Sequence, residues 1–197
     1  ANFSALDATQ VGALSNTQIA RLTTTQLKDL TATDIGELTA TQVGALSTAQ
    51  LGALSSANFS ALNATQVGGL STTQVKGITT TQIKGLNTTD IGELTDTQVG
   101  ALTAAQLGVL VTGQVQQLST SQLSVLSSTQ VGALGAANFS VLDATQVGAL
   151  TETQIKGLTT AQLGGLSAAD VGELSATQVG DGLARPRGVG DQGGGIG

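Results

Sequence analysis

From Asp7 to Gly182 the chain reads as twenty-two consecutive octads, and this fixed short period constrains the fold more than any other feature. Asp7-Ala8-Thr9-Gln10-Val11-Gly12-Ala13-Leu14 and Thr79-Thr80-Thr81-Gln82-Ile83-Lys84-Gly85-Leu86 are typical. Slot eight is Leu except at Ile78 and Gly182, and slot five is always Val, Ile, Leu or Phe. Such a period is the signature of a solenoid, in which each unit buries its apolar face against neighbours. Eight residues suit no continuous element. On an unbroken helix each octad drifts about 80° around the axis. On a strand, slots five and eight point to opposite faces. Each octad must therefore contain its own corner.

The residues place that corner. Slot one is Ser, Thr, Asn or Asp in nearly all octads, with Val111 and Gly135 as exceptions, and slot four is mostly Gln. Ser/Thr-x-x-Gln is a capping box, and the preceding Leu with the slot-five residue forms a hydrophobic staple. Gly at slot six or seven, as at Gly12, Gly44, Gly85 and Gly165, is expected to end the helix in a left-handed turn. Each octad thus spells start, one helical turn, stop. A one-turn helix cannot stand alone, so packing through slots five and eight must hold it. The expected fold is an all-α solenoid of very short capped helices, one per octad. The alternative is a triangular β-solenoid, with slot-four Gln in stacked amide ladders and Thr along the faces.

A second periodicity lies above the octad. Asn-Phe-Ser recurs at 2–4, 58–60 and 138–140, and Asp-Ile/Val-Gly-Glu at 34–37, 90–93 and 170–173. The two motifs stay four octads apart each time. Seven-octad blocks start near 1, 55 and 135, with three extra octads at 111–134. If three octads close one coil, the inserted segment adds one whole turn and leaves its neighbours in phase. The first residues match the last six slots of an octad, so the chain is expected to be a piece of a longer array. After Val179 the period stops, and 181–197 reads as a Gly-rich flexible tail.

The motif Thr/Ser-x-x-Gln-apolar-x-x-Leu, over residues 1 to about 180, resembles the triangular-prism short-repeat solenoids nicknamed Toblerone proteins. It is also similar to octad arrays in large bacterial surface or secreted proteins. The resemblance implies a three-sided stack of three octads per coil, with slots five and eight inside. It also implies an extracellular or cell-surface setting, and it carries over no catalytic residue.

Composition narrows function mainly by exclusion. The net charge of −6 argues against nucleic acid as partner, and no apolar run has the length of a membrane span. The chain has no His and no Cys, which removes Ser–His and Cys–His nucleophiles and thiolate metal sites. Gly188-Val189-Gly190-Asp191-Gln192-Gly193 matches a phosphate-binding Gly pattern but lacks the strand and helix it needs. Asp34/Glu37, Asp90/Glu93 and Asp170/Glu173 are candidate Ca²⁺ or acid–base pairs. They read better as a capping acid plus a solvated Glu, with Lys28 and Lys84 at hand for surface ion pairs. Phe3, Phe59 and Phe139, all at slot five, read as core plugs. Glycosylation sequons at Asn2, Asn58, Asn63, Asn87 and Asn138 read as incidental.

No catalytic, cofactor-binding or metal-binding residue is therefore assigned, no cofactor is expected, and the chain is not expected to be an enzyme. The expected function is a structural spacer or stalk segment of a larger bacterial surface or secreted protein. Two alternatives remain at this point. One is a binding module that uses flat Thr-rich faces for ice or polysaccharide. The other is a unit that assembles with itself, end to end or laterally. A small-molecule ligand is not expected.

Overall fold

The computed structural model describes residues 3–166 and 168–179. The proposed tail at 181–197 and the Gly pattern at 188–193 lie outside the described residues. After a 3₁₀ turn at Phe3–Ala5, each octad contributes one α-helix, from α1 (Ala8–Gly12) to α22 (Ala176–Val179). Among the described residues there is no strand, so the β-solenoid alternative is unsupported. The chain is an all-α solenoid.

Local chemistry sets both ends of each helix. In the octad of Gln82, Thr79 is extended at φ −71° and ψ 152° and caps the helix Thr80–Gly85. The N–H of Gln82 donates to Thr79 Oγ1 at 3.2 Å, and the N–H of Thr79 donates to Gln82 Oε1 at 3.0 Å. The box is complete. At the other end the Leu86 N–H donates to the Ile83 carbonyl at 3.3 Å, closing a single tightened turn. Leu86 is then extended, at φ −63° and ψ 140°, and delivers the chain to the next cap.

The stop is therefore the extended slot-eight Leu, and the expected left-handed Gly turn is not formed. The one positive φ among the described residues is Gly135, at +80°, in a slot-one cap position. There Leu134 is helical instead of extended, at φ −59° and ψ −29°, and Gly makes the turn that Leu makes elsewhere. Glycine at slot seven has a different role, which is to allow close approach. A Cβ on Gly77 would lie 2.6 Å from Thr48, one on Gly85 2.6 Å from Ser56, and one on Gly157 2.4 Å from Ser128. In each case the partner is slot two of the octad three earlier.

Packing follows the same count of three. Helix Ser56–Phe59 packs on Thr80–Gly85, which packs on Ala104–Leu107, then Ser128–Ala133, Glu152–Lys156 and Ala176–Val179. Two parallel stacks run through Asn16–Ile19 and Ala40–Gly44 and through Thr24–Lys28 and Thr48–Ala53, again in steps of three helices. One coil is thus three octads. The slot-five and slot-eight residues line one continuous core from Phe3 to Leu158. Phe3, Phe59 and Phe139 are buried in it, as expected for core plugs. Burial of each such side chain is worth about 1.5–3 kcal/mol, which holds turns too short to persist alone.

Candidate functional site

The distinctive chemistry of the molecule is at its corners, where slot four of one octad lies over the octad four earlier. Gln82 is 2 % exposed. Its Oε1 caps its own helix, while its Nε2 donates to the carbonyls of Leu51 and Leu54, at 2.8 and 2.9 Å. Those carbonyls belong to slots five and eight of octad 47–54: the Leu51 carbonyl already accepts the Leu54 N–H at 3.1 Å and uses its second lone pair for the amide, while the Leu54 carbonyl lies past the end of the turn. One amide thus satisfies a helix start and a helix stop in adjacent coils. The arrangement recurs from Gln42, bonded to Val11 and Leu14, to Gln178, bonded to Val147 and Leu150.

This second role of Gln is absent from the capping-box reading, although a signal for it exists. A capping box accepts Glu as readily as Gln, yet slot four is Gln, Asn or Asp in all twenty-two octads and never Glu. A carboxylate on a Gln-length stem would meet two carbonyl oxygens with no proton to offer.

Asn and Asp solve the corner differently. Asn58 Nδ2 donates to the Leu30 carbonyl at 2.5 Å, and Asn138 Nδ2 to that of Leu110 at 2.7 Å. Both side chains are buried, so these two sequons cannot present a glycan acceptor. Asn63 and Asn87 are exposed helix caps whose side-chain oxygens accept from backbone N–H groups. Asn2 lies outside the described residues.

Asp34 is 5 % exposed. It accepts from the Thr31 N–H at 2.6 Å, from Thr31 Oγ1 at 2.8 Å and from Ser4 Oγ at 2.8 Å. Burial works to raise its pKa, but the bonds from the Thr31 backbone, the Ser4 hydroxyl and the Thr31 hydroxyl together hold it below the ordinary carboxylate value. Asp90 repeats the geometry, accepting from the Asn87 N–H at 2.9 Å and from Ser60 Oγ. Ser4 and Ser60 occupy slot six of the octad four earlier. The constant four-octad separation of Asn-Phe-Ser from Asp-Ile/Val-Gly-Glu is therefore a direct contact. Asp170 stands at the same spacing from Ser140; its side chain lies outside the described residues, as does that of Glu173.

Two expectations for the acidic pairs are corrected. Glu37 and Glu93 are not freely solvated: each is half-buried, with Oε2 closed off from solvent and without a hydrogen-bond partner. Slot seven faces the preceding coil, which is why Gly suits it and why a longer side chain there is partly covered. Lys28 and Lys84 also make no ion pair with these acids. Among the described residues the ion pair is Lys156–Glu152, four apart on one helix. No group of three or more Asp, Glu, His or Cys able to hold a metal occurs among the described residues. No helix there is long and apolar enough to cross a membrane.

Comparison with known proteins adds a repeat family. The model of the ALTTAQ repeat matches residues 45–80. The matched stretch opens with Ala45-Leu46-Ser47-Thr48-Ala49-Gln50, which spans slot seven, the slot-eight Leu, the cap and the corner Gln. It supports a repeat protein. No curated protein and no solved structure matches the chain.

Proposed function

We propose that this array is a non-enzymatic structural spacer, a three-sided prism that holds a fixed distance within a larger bacterial surface or secreted protein. The observation that carries the reading is the corner amide. Because each slot-four Gln from Gln42 onward serves its own helix and the coil beneath, polar groups are satisfied along the stack itself, and length grows in equal steps with octad number. Seven coils at a helix-packing distance of about 8–10 Å give a rod of roughly 60–70 Å. The lack of His and Cys supports a role without covalent catalysis.

The Thr-rich binding face has less support. A β architecture with closely spaced Thr rows would support it, whereas here successive slot-three residues, such as Thr17, Thr41, Thr65 and Thr89, are a helix-packing distance apart.

The test is deletion of 111–134, which removes one whole coil and keeps every remaining octad in phase. Small-angle scattering should report a particle shorter by about 8–10 Å, with a cooperative unfolding transition. A particle that loses its cooperative transition, or that keeps its length, would overturn the spacer reading. Growth of particle mass with concentration would favour the self-assembling unit instead.

A further inference from the structure

Chain connectivity alone does not count octads. In an array of near-identical units, one octad can loop out and the rest can close over the gap, since so short a loop has a small closure entropy. Outside the three Phe plugs, the Val, Ile and Leu of slots five and eight are interchangeable between octads, and a Gln stacked on a coil finds carbonyls beneath it. The Asp corners are the exception. A carboxyl group has no amide N–H to give to those carbonyls, and Asp34 and Asp90 instead each accept from a slot-six hydroxyl in the octad four earlier.

We propose that each Ser–Asp pair is a register key, fixing which octad stacks above which in an array whose other units are interchangeable.

The chain contains its own controls. Ser4 and Ser60 are seven octads apart and Ser60 and Ser140 are ten octads apart. Yet Ser4 and Ser60 stand at one and the same interval before Asp34 and Asp90, and Ser140 keeps that interval before Asp170. Block length varies while the Ser–Asp interval does not, and the extra octads at 111–134 fall outside both flanking intervals. The dependence is also one-sided. Ser124 is a slot-six Ser beneath a Gln corner, and Gln154 still donates to Leu123 and Leu126 at 2.8 and 2.6 Å. Serine tolerates either partner. None of the three slot-four Asp residues stands over anything but Ser. Slipping such an Asp by one octad places a buried anion over bare carbonyl oxygens.

The key is transplantable. Gln98 lies over Val67 and Leu70, and slot six of that octad is Gly68, where an added Cβ meets nothing within 4 Å. Four full-length proteins are compared by urea unfolding: the parent, Gln98→Asp, Gly68→Ser and the double variant. Gln98→Asp should lower the folding equilibrium constant about tenfold or more. Gly68→Ser should leave it within about threefold, and the double variant should recover most of the loss. A double variant no better than Gln98→Asp overturns the pairing.

Octad deletion reads register directly. Deleting 71–78 moves Asp90 over Gly52, whereas deleting 119–126 breaks no pair. The first deletion should destabilise more than the second, and Gly52→Ser should rescue the first alone. Equal effects of the two deletions, or no rescue, overturn the register key even if the transplanted pair is stabilising.

Discussion

Gln18 and Gln82 are the same residue in the same octad slot, and they have different surroundings. Both complete a capping box: Gln18 accepts from the Ser15 N–H at 2.9 Å, Gln82 from that of Thr79 at 3.0 Å. Gln18 stands in the first coil and is exposed; Gln82 is buried and also donates to two carbonyls of the coil beneath. The slot-eight residues that flank them differ in the same way, half-buried at Leu14 and Leu22 and buried at Ile78 and Leu86. The cap is thus a local property of one octad, while the inter-coil bond and the dry core belong to the stack. A one-turn helix needs both, because its own hydrogen bonds do not offset the entropy of forming it.

The comparison breaks most sharply under a change of one atom. Gln82→Glu keeps length and shape but replaces the amide donor with a carboxylate facing two buried carbonyls. It should destabilise by about 3 kcal/mol in urea unfolding at pH 7. Gln18→Glu keeps the box and faces solvent, so its effect should stay within about 0.5 kcal/mol. Equal losses at the two sites would mean that the cap, and not the inter-coil bond, carries the corner.

Glycine gives a second contrast between contact and open surface. Gly157→Ala puts a methyl 2.4 Å from Ser128 Cβ, and either the backbone or the coil spacing must shift. The expected loss is about 1–3 kcal/mol. Gly12→Ala meets nothing within 4 Å and lies in a helix, so it should stabilise by about 0.4–1 kcal/mol. Thermal midpoints moving in the same direction would refute the close-approach role of slot seven. Gly135→Ser separates sequence rule from backbone fact. It restores the preferred cap residue but forces a side chain onto φ +80°, and a net loss of about 1 kcal/mol is expected.

These cases mark where the sequence is legible. The period of eight, the capping boxes and the apolar slots five and eight predict one-turn helices packed around a core, and that is the fold. The count of three per coil follows only weakly from the extra octads at 111–134. The helix stop is not legible, since a Gly-rich slot suggests a left-handed turn and the space-limiting neighbour, such as Ser128 beneath Gly157, lies three octads back in the chain. The Ser–Asp contact is visible only as a constant interval between two motifs. Its meaning needs the knowledge that slot four reaches down four octads, a distance set by the corner geometry of the coil and not by any local propensity. The half-burial of Glu37 and Glu93 escapes the sequence for the same reason.

Asp34 supplies the smallest expected effect and the finest discrimination. Its pKa is held below the ordinary value of 3.8 although burial opposes this, so the folded state favours the anion more than the unfolded chain does. Its contribution is then complete above the unfolded value and lost as pH falls through the lower folded value. Urea midpoints of the parent and of Asp34→Asn, measured from pH 7 down to below pH 3, should differ at neutral pH and converge at the acid end. Asn is the appropriate replacement, because Asn58 and Asn138 show that slot four accepts it. Its amide restores a donor toward the carbonyls beneath while the bonds that favour an anion are lost. A constant gap across the whole range would mean that Asp34 contributes through shape alone. Convergence would mean that its charge, held by Ser4 and Thr31, is what distinguishes this corner from a glutamine corner.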